Sequence, residues 1–300
     1  MTIVLADLGG THLRLARSHD LKNIEKFVIR DFPDIDTVLR EYEEKIETLY
    51  IAAAIHPIEG IIEDKRFGDK SDWVIDINKL KSALNIKNIV IVNDLEAAAY
   101  GVLKLKHNQT QFLIEPEIEQ FHFSYPPKLI VGVGTGIGHA YLFDKENSRP
   151  FVQRSHGGHM PIPVASDEQM KTVQKIRLSQ DGKRDFIVED IVSGSGLIGL
   201  KAHYGDDIAL RLFAEFLGVY CNVLVSSVGA YGGVYLTGGV MDELVGRQQF
   251  DKESFKKYFL PRAVPVVQEC LNATAVYYVR EPNMPILGLS FLSRQEAHDF

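Results

Sequence analysis

Apolar residues follow two rhythms along this chain. Short apolar runs end at Gly, Asn or Asp, and between them lie stretches with an apolar residue every three or four positions. The runs predict strands at 3–6, 13–17, 25–29, 49–54 and 89–92, and the helical period predicts helices at 35–45, 77–84 and 95–103. Asp34 and Asp76 stand where N-caps belong. Residues 104–127 are polar, contain prolines and have little period, so they read as a crossover to a second lobe. Beyond it the pattern predicts a strand at 128–131 and helices at 167–177, 190–204, 206–228 and 252–258. Strands follow at 234–236 and 275–279, and a last helix starts near Pro285. The expected division is a small lobe, 1–106, completed by a C-terminal helix at 286–300, and a large lobe, 107–285. Strands alternating with helices in both halves predict an α/β protein with a mixed sheet in each lobe.

Composition narrows this little. The 300 residues are 45% hydrophobic and 24% charged, as in soluble globular proteins. A net charge of -7 argues against a nucleic-acid partner. Cys221 and Cys270 form no C-x-x-C pair and read as reduced thiols of a cytoplasmic protein. The opening strand at Ile3 leaves no room for a signal peptide or a preceding DNA-binding arm, so neither is expected. Residues 216–236 are apolar enough to raise the question of a membrane. Asn222, Ser226 and Ser227 interrupt that run, and Gly229, Gly232 and Gly233 split it. A buried helix entering a buried strand, with no membrane partner, is the expectation.

Two glycine turns change the picture. Asp7-Leu8-Gly9-Gly10-Thr11 separates two apolar strands, and Gly132-Val133-Gly134-Thr135-Gly136-Ile137-Gly138 separates two more. Glycine lets backbone N–H groups approach phosphate oxygens, and threonine adds a hydroxyl donor. One such turn says little, since many hairpins carry Gly-Gly or Gly-Thr. Two in separate halves predict one polyphosphate held in a cleft between two lobes. Asp7 beside the first turn suits Mg2+, directly or through water, or else caps the Gly9 or Gly10 N–H. Arg14 reads equally as a phosphate partner or a surface residue. Asn93-Asp94 closes a buried strand and opens an Ala-rich helix, a place where side chains point into a cleft. A carboxylate there accepts a proton from an attacking hydroxyl, unless Asp94 is simply the helix N-cap. His156-Gly157-Gly158-His159 reads as a tight loop presenting imidazoles to a polar ligand. Its glycines disfavour a helix and no third ligand lies nearby, so zinc is not expected. Glu189 and Asp190 precede Ser193-Gly194 at a helix start. They are either N-terminal charges, or Glu189 accepts hydrogen bonds from sugar hydroxyls. Thr237-Gly238-Gly239 ends a buried strand, as a nucleoside pocket or a bare strand-to-helix turn would require.

In this order, these segments resemble the bacterial-type glucokinase family of the hexokinase–actin superfamily, over nearly the whole chain. The resemblance implies a two-lobed actin-like, ribonuclease H-like α/β fold with a mixed sheet in each lobe and a central cleft. It implies transfer of the ATP γ-phosphoryl group to the 6-hydroxyl of a hexose, with Mg2+. Asp94 would be the catalytic base, and Asn93, Asp94, His159 and Glu189, with Gly158 in the loop, would bind the sugar. Gly9, Gly10, Thr11, Gly134, Thr135 and Gly136 would hold phosphates, with Asp7 near the metal. Gly238 and Gly239 would border the adenosine. The implied partners are ATP and a sugar, and a homodimer is left open. A related group of sugar kinases carries a zinc-binding cysteine cluster that this chain lacks. One departure stands out: the family pattern is Glu-Gly-Gly-His, and here His156 replaces the glutamate. A carboxylate only accepts hydrogen bonds, whereas imidazole also donates. The change suits a sugar altered at C2, such as N-acetylmannosamine or another N-acetylhexosamine, with glucose as the alternative. A non-catalytic sugar sensor and an actin-like ATPase with a protein partner are the rival classes. Retention of Asp94 speaks against the first, and the Asn93-Asp94 and Gly-Gly-His segments speak against the second.

Overall fold

The computed structural model describes residues 2–43, 45–54, 60–63, 73–117, 126–179, 185–261 and 264–296. Parts of the expected stretches 35–45, 104–127 and 286–300 lie outside the described residues. The chain divides into two compact units, Met1–Leu105 with Asn283–Phe300, and Lys106–Pro282.

The first unit runs β1 (Ile3–Leu8), β2 (His12–Arg17), β3 (Asp20–Val28), α1 (Ile35–Tyr42), β4 (Thr48–Ala53), β5 (Ile61–Glu63), β6 (Val74–Asp76), α2 (Ile77–Ala83), β7 (Asn88–Asn93) and α3 (Asp94–Gly101). Its sheet has the order β3-β2-β1-β4-β7. β1, β4 and β7 are parallel and β2 is antiparallel to β1, so the sheet is mixed. Ile3–Ala6 of β1 form a continuous apolar run because both faces of the strand are covered. Val4 and Ala6 pack with Val38 and Leu39 of α1, and Leu5 packs with Tyr50 on the other face. Both expected caps form. Asp34 Oδ1 accepts from Thr37 N at 2.8 Å, and Asp76 Oδ1 from Asn78 N at 3.0 Å. β3 is longer than its apolar core suggests because it is a charged, half-exposed edge strand. Leu8, Ala53 and Asn93 are in register, so β1, β4 and β7 end on one edge.

The second unit runs β8 (Thr110–Ile114), β9 (Lys128–Val133), β10 (Ile137–Phe143), β11 (Phe151–Ser155), α4 (Asp167–Ser179), α5 (Gly194–Tyr204), α6 (Asp206–Val228), β12 (Val234–Thr237), α7 (Gly239–Gly246), α8 (Lys252–Phe259), α9 (Pro265–Asn272) and β13 (Val276–Val279). Its sheet, β11-β10-β9-β12-β13-β8, repeats the plan of the first and adds β8. In both, an antiparallel meander of three strands is followed by two more strands, the first of them pairing in parallel with the meander's first member. β8 corrects the reading of 104–127 as plain crossover: Phe112 and Ile114 pair with β13, with Leu113 at a register shift between them, and polar flanks dilute the signal. The helix expected at 190–204 starts at Gly194, where Ser193 Oγ accepts from Gly196 N at 3.0 Å. Residues Val188–Asp190 form a separate 3-10 turn.

α6 holds most of the apolar run that raised the membrane question, and its most apolar 18-residue window has a mean hydropathy of 1.7. It is the core helix of this unit: Leu212, Phe213, Phe216, Leu217 and Tyr220 are at most 1% exposed. Burying each such Leu or Phe contributes roughly 1.5–3 kcal/mol. Cys221 on α6 and Cys270 on α9 are free and buried.

α10 (Met284–Glu296) closes the first unit by packing on α3. Gly288 lies directly against the Ala97 carbonyl, and a Cβ at Gly101 would sit 2.5 Å from the Met284 carbonyl oxygen. The missing side chains let the two backbones approach, and Tyr100 stacks on Phe291 beside them at 5.8 Å. α10 thereby sets the depth of α3, whose first residue is Asp94.

Candidate functional site

In the first unit the candidate residues gather where β1 and β7 end. The turn Gly9–Thr11 links β1 to β2, and Gly9 N donates to His12 O at 3.0 Å. The Gly9 N–H is therefore satisfied within the turn, and Asp7 does not cap it. Asp7 instead faces Arg14 across the ladder, and Arg14 Nη1 donates to Asp7 Oδ2 at 2.8 Å. This places Arg14 on the carboxylate, so it is not a free surface arginine. Burial pushes the Asp7 carboxyl up to about 6; the Arg14 charge and hydrogen bond pull it down, and the nearby Asp94 charge pushes it up. Asp7 is therefore close enough to Asp94 for the two carboxylates to repel.

Asn93, not Asp94, is the N-cap of α3. Its Oδ1 accepts from Leu95 N at 3.1 Å and Glu96 N at 3.2 Å, while its Nδ2 donates to Ala54 O at 3.3 Å. Asp94 is the first helical residue, and its Oδ1 accepts from Leu95 N at 2.7 Å. The capping alternative for Asp94 thus passes to its neighbour. Asn93, expected at a sugar, is occupied largely with backbone.

In the second unit four segments meet at one edge of the sheet. Gly134–Gly136 links β9 to β10, and Gly134 N donates to Gly136 O at 2.9 Å. Gly134 O accepts from Gly194 N at 2.8 Å, tying the turn to the start of α5. Glu189 Oε2 accepts from Ile137 N at 3.1 Å, and Gly136 lies against the same carboxylate. Neither Glu189 nor Asp190 caps α5; Ser193 does, and Asp190 Oδ2 accepts from Ile187 N at 2.9 Å. Val188 N donates to Met160 O at 3.0 Å, which joins the Glu189 turn to the loop 156–159. In that loop His156 and His159 are exposed, with rings 8° from parallel and 6.4 Å apart. Both imidazoles therefore present themselves side by side.

Gly238 has φ +103°, and its missing Cβ would lie 2.5 Å from the Val133 carbonyl oxygen, so only glycine fits there. It ends β12 and precedes α7, a strand-to-helix turn beside the end of β9. Side chains at Gly134 or Gly239 would meet open space within 4 Å. Gly9, Gly134 and Gly136 do not have positive φ, so the turns need glycine for space and not for a left-handed backbone.

Sequence reasoning passed over His139 and Tyr220. His139 on β10 is buried, and its Nδ1 lies 2.8 Å from the Tyr220 hydroxyl. Burial lowers the imidazole to about 4, so it is neutral at ordinary pH. The alternation of β10 was the available signal, since it puts His139 on the same face as Tyr141.

Comparison with known proteins places the whole chain in one family. The family model for glucokinase matches residues 4–206 and 201–296. A glucokinase-like protein of Xylella fastidiosa is 26% identical, covering 96% of this chain and 93% of its own length. A glucokinase of Photorhabdus laumondii is also 26% identical, covering 98% of this chain and 97% of its own. Among solved structures, a glucokinase from an Antarctic psychrotroph superposes with a TM-score of 0.80 at 22% identity, covering 98% of this chain and 99% of that one. A glucokinase from Balamuthia mandrillaris in complex with glucose gives 0.76 at 21% identity, covering 98% and 93%. These structures share the α/β fold of the actin-like ATPases.

Proposed function

The chain belongs to the glucokinase family and is an ATP-dependent sugar kinase; from that premise we propose that it phosphorylates the 6-hydroxyl of a hexose altered at C2, such as an N-acetylhexosamine. Asp94 accepts the proton of the attacking hydroxyl as the sugar oxygen bonds to the γ-phosphorus and ADP leaves. His156, His159 and Glu189 contact the sugar hydroxyls, with one Asn93 amide hydrogen left to join them. The turns Gly9–Thr11 and Gly134–Gly136 take phosphates, and Gly238-Gly239 borders the adenosine. The observation that carries the reading is Glu189. Its carboxylate holds the backbone of the Gly134–Gly136 turn, and the next residue upstream ties to the His156–His159 loop, so turn and loop are one assembly.

The residues suit a metal held chiefly by the nucleotide. Among the described residues no group of three or more His, Cys, Asp or Glu could hold an ion. Asp7 is a single carboxylate with Oδ2 engaged by Arg14. It suits Mg2+ reached through water, because that ion keeps several waters and takes phosphate oxygens. When bound, the ion would neutralise charge on the transferring phosphates.

His156 supports the C2-modified sugar, since imidazole can donate to an acetamido carbonyl and a carboxylate cannot. The glucokinase names of the relatives favour glucose as the second reading. A sugar sensor without turnover is a third. A coupled ADP assay over glucose, mannose and their 2-acetamido forms separates them. The proposal expects a higher kcat/KM for a 2-acetamido sugar, and a shift towards glucose in His156→Glu. Wild-type preference for glucose, or an unchanged ratio in the variant, overturns it; absence of sugar-dependent ADP would point to the sensor.

A further inference from the structure

The loop His156–His159 lies flat on β10, and the group beneath it is an imidazole. Gly157 has no room for a side chain: a Cβ there would fall 2.9 Å from His139 Nδ1 and 3.2 Å from its Nε2. Gly158 is pressed in the same way onto the Ile137 carbonyl. The double glycine is thus explained by what lies under the loop, two residues of one strand. His139 pairs across the ladder with Ser155, the last residue of β11, so it sits at the root of the loop. Ser155 Oγ in turn accepts from Gly157 N at 3.1 Å.

The ring is held from below. Tyr141 and Tyr220 meet it edge-on, at 5.2 and 5.8 Å between centroids. The Tyr220 hydroxyl, at 2.8 Å from Nδ1, fixes the ring's rotation. Tyr220 is fully buried on α6, the core helix, and Tyr141 OH donates to Leu224 O on the same helix at 3.2 Å. A flat ring gives the Gly157 backbone a surface to rest on. A polar nitrogen lets a rigid helix set that surface's angle. An aliphatic side chain would supply the volume but not the orientation.

We propose that His139, oriented by Tyr220, is a positioning residue that sets the height and angle of the His156–His159 loop and hence the sugar affinity of the site. The inference rests on reading that loop as the sugar loop. It extends the site to two buried residues that never touch the ligand.

The test is a double-mutant cycle with sugar KM, ATP KM and kcat measured separately. Gly157→Ala pushes a methyl into the ring and should raise sugar KM by about 10–100-fold, since displacements near 1 Å can cost that much. ATP KM should stay within about twofold. His139→Ala should also raise sugar KM. The two together should raise it by much less than the product of the single effects, because the removed ring leaves space for the methyl. Tyr220→Phe, which deletes only a hydroxyl, should move sugar KM in the same direction by a smaller factor. His139→Asn, with an amide near the Nδ1 position, should retain part of the affinity that Ala loses. Single effects that simply multiply overturn the proposal. So does a His139→Ala or Tyr220→Phe protein with a lower Tm and unchanged sugar KM. His159→Ala separates the two levels. If it leaves sugar KM unchanged, the sugar-loop reading itself fails. If it raises sugar KM while the His139 and Tyr220 variants do not, only the positioning role fails.

Discussion

The cap of α3 is made by Asn93, so the helix does not depend on the Asp94 carboxylate for its start. Asp94→Asn keeps an amide oxygen to accept from Leu95 N and removes the proton acceptor. It should lower kcat by about 10^2–10^4, the usual share of a general base. Sugar KM should hardly move, and Tm should shift by no more than about 2–4 °C, equivalent to 1 kcal/mol. Retained turnover with a lower Tm would return Asp94 to a structural role. Asp7 carries a second prediction. Its carboxyl is raised from its ordinary 3.8 to about 6 by burial, while Arg14 lowers it. If the ionised form serves the metal, kcat/KM for ATP should rise with pH around 6. Arg14→Met removes the lowering charge and should move that midpoint upward; an unchanged or lower midpoint rules Asp7 out as the titrating group. The stability sign follows from the same shift. A folded value above the unfolded one stabilises the fold below about 3.8, and this is lost as pH rises through about 6. At this scale Asp94 at a helix start and His156 at the head of a glycine loop were legible as residue types in special contexts. Arg14 on Asp7, Glu189 on Ile137 and Tyr220 under His139 were not, because each is a contact made by folding: 7, 52 and 81 residues separate the partners.

At the scale of elements, the two glycines of the second turn do different work. Gly134 faces open space, whereas Gly136 makes room for the Glu189 carboxylate. A Cβ at Gly134 meets nothing within 4 Å and the residue has no positive φ to strain, so Gly134→Val should fold normally. Its side chain should project into the proposed phosphate site, raising ATP KM while leaving sugar KM nearly constant. Gly136→Ala should displace Glu189 and raise both. Steady-state KM values for each substrate check this. Equal effects of the two variants on both substrates would contradict the division of labour, and an unaltered ATP KM in both would remove the phosphate assignment. The strands of both hairpins and the helices α1, α2, α4, α6 and α8 were legible because their apolar period is long or sharply bounded. β5, β6, β8, β11, α7 and α9 were not. The four strands run to three to five residues, too short for a period to emerge from polar flanks, and α7 and α9 lack the aspartate N-cap that marks α1, α2 and α8.

For the whole molecule, the α/β class with a mixed sheet in each half follows from apolar strands alternating with helices. The repeated strand order could not be read that way, because β4, β7, β12 and β13 join their sheets by crossovers. A ligand of the native chain stabilises all of it by mass action, which gives a sugar assay that needs no turnover. Binding at 100 times Kd contributes about 2.7 kcal/mol. With roughly 2–4 °C of Tm per kcal/mol in domains approaching this size, the preferred sugar should raise Tm by about 5–10 °C. Asp94→Asn is the form to use, because it is expected to bind sugar without consuming it when ATP is added. Far-UV circular dichroism follows the helices of both units together. At equal concentrations, N-acetylmannosamine or N-acetylglucosamine should raise Tm more than glucose, and His156→Glu in the same background should reverse the order. A larger shift with glucose before that substitution would make this chain a plain glucokinase. Equal shifts before and after it would mean that C2 is read by a residue other than His156.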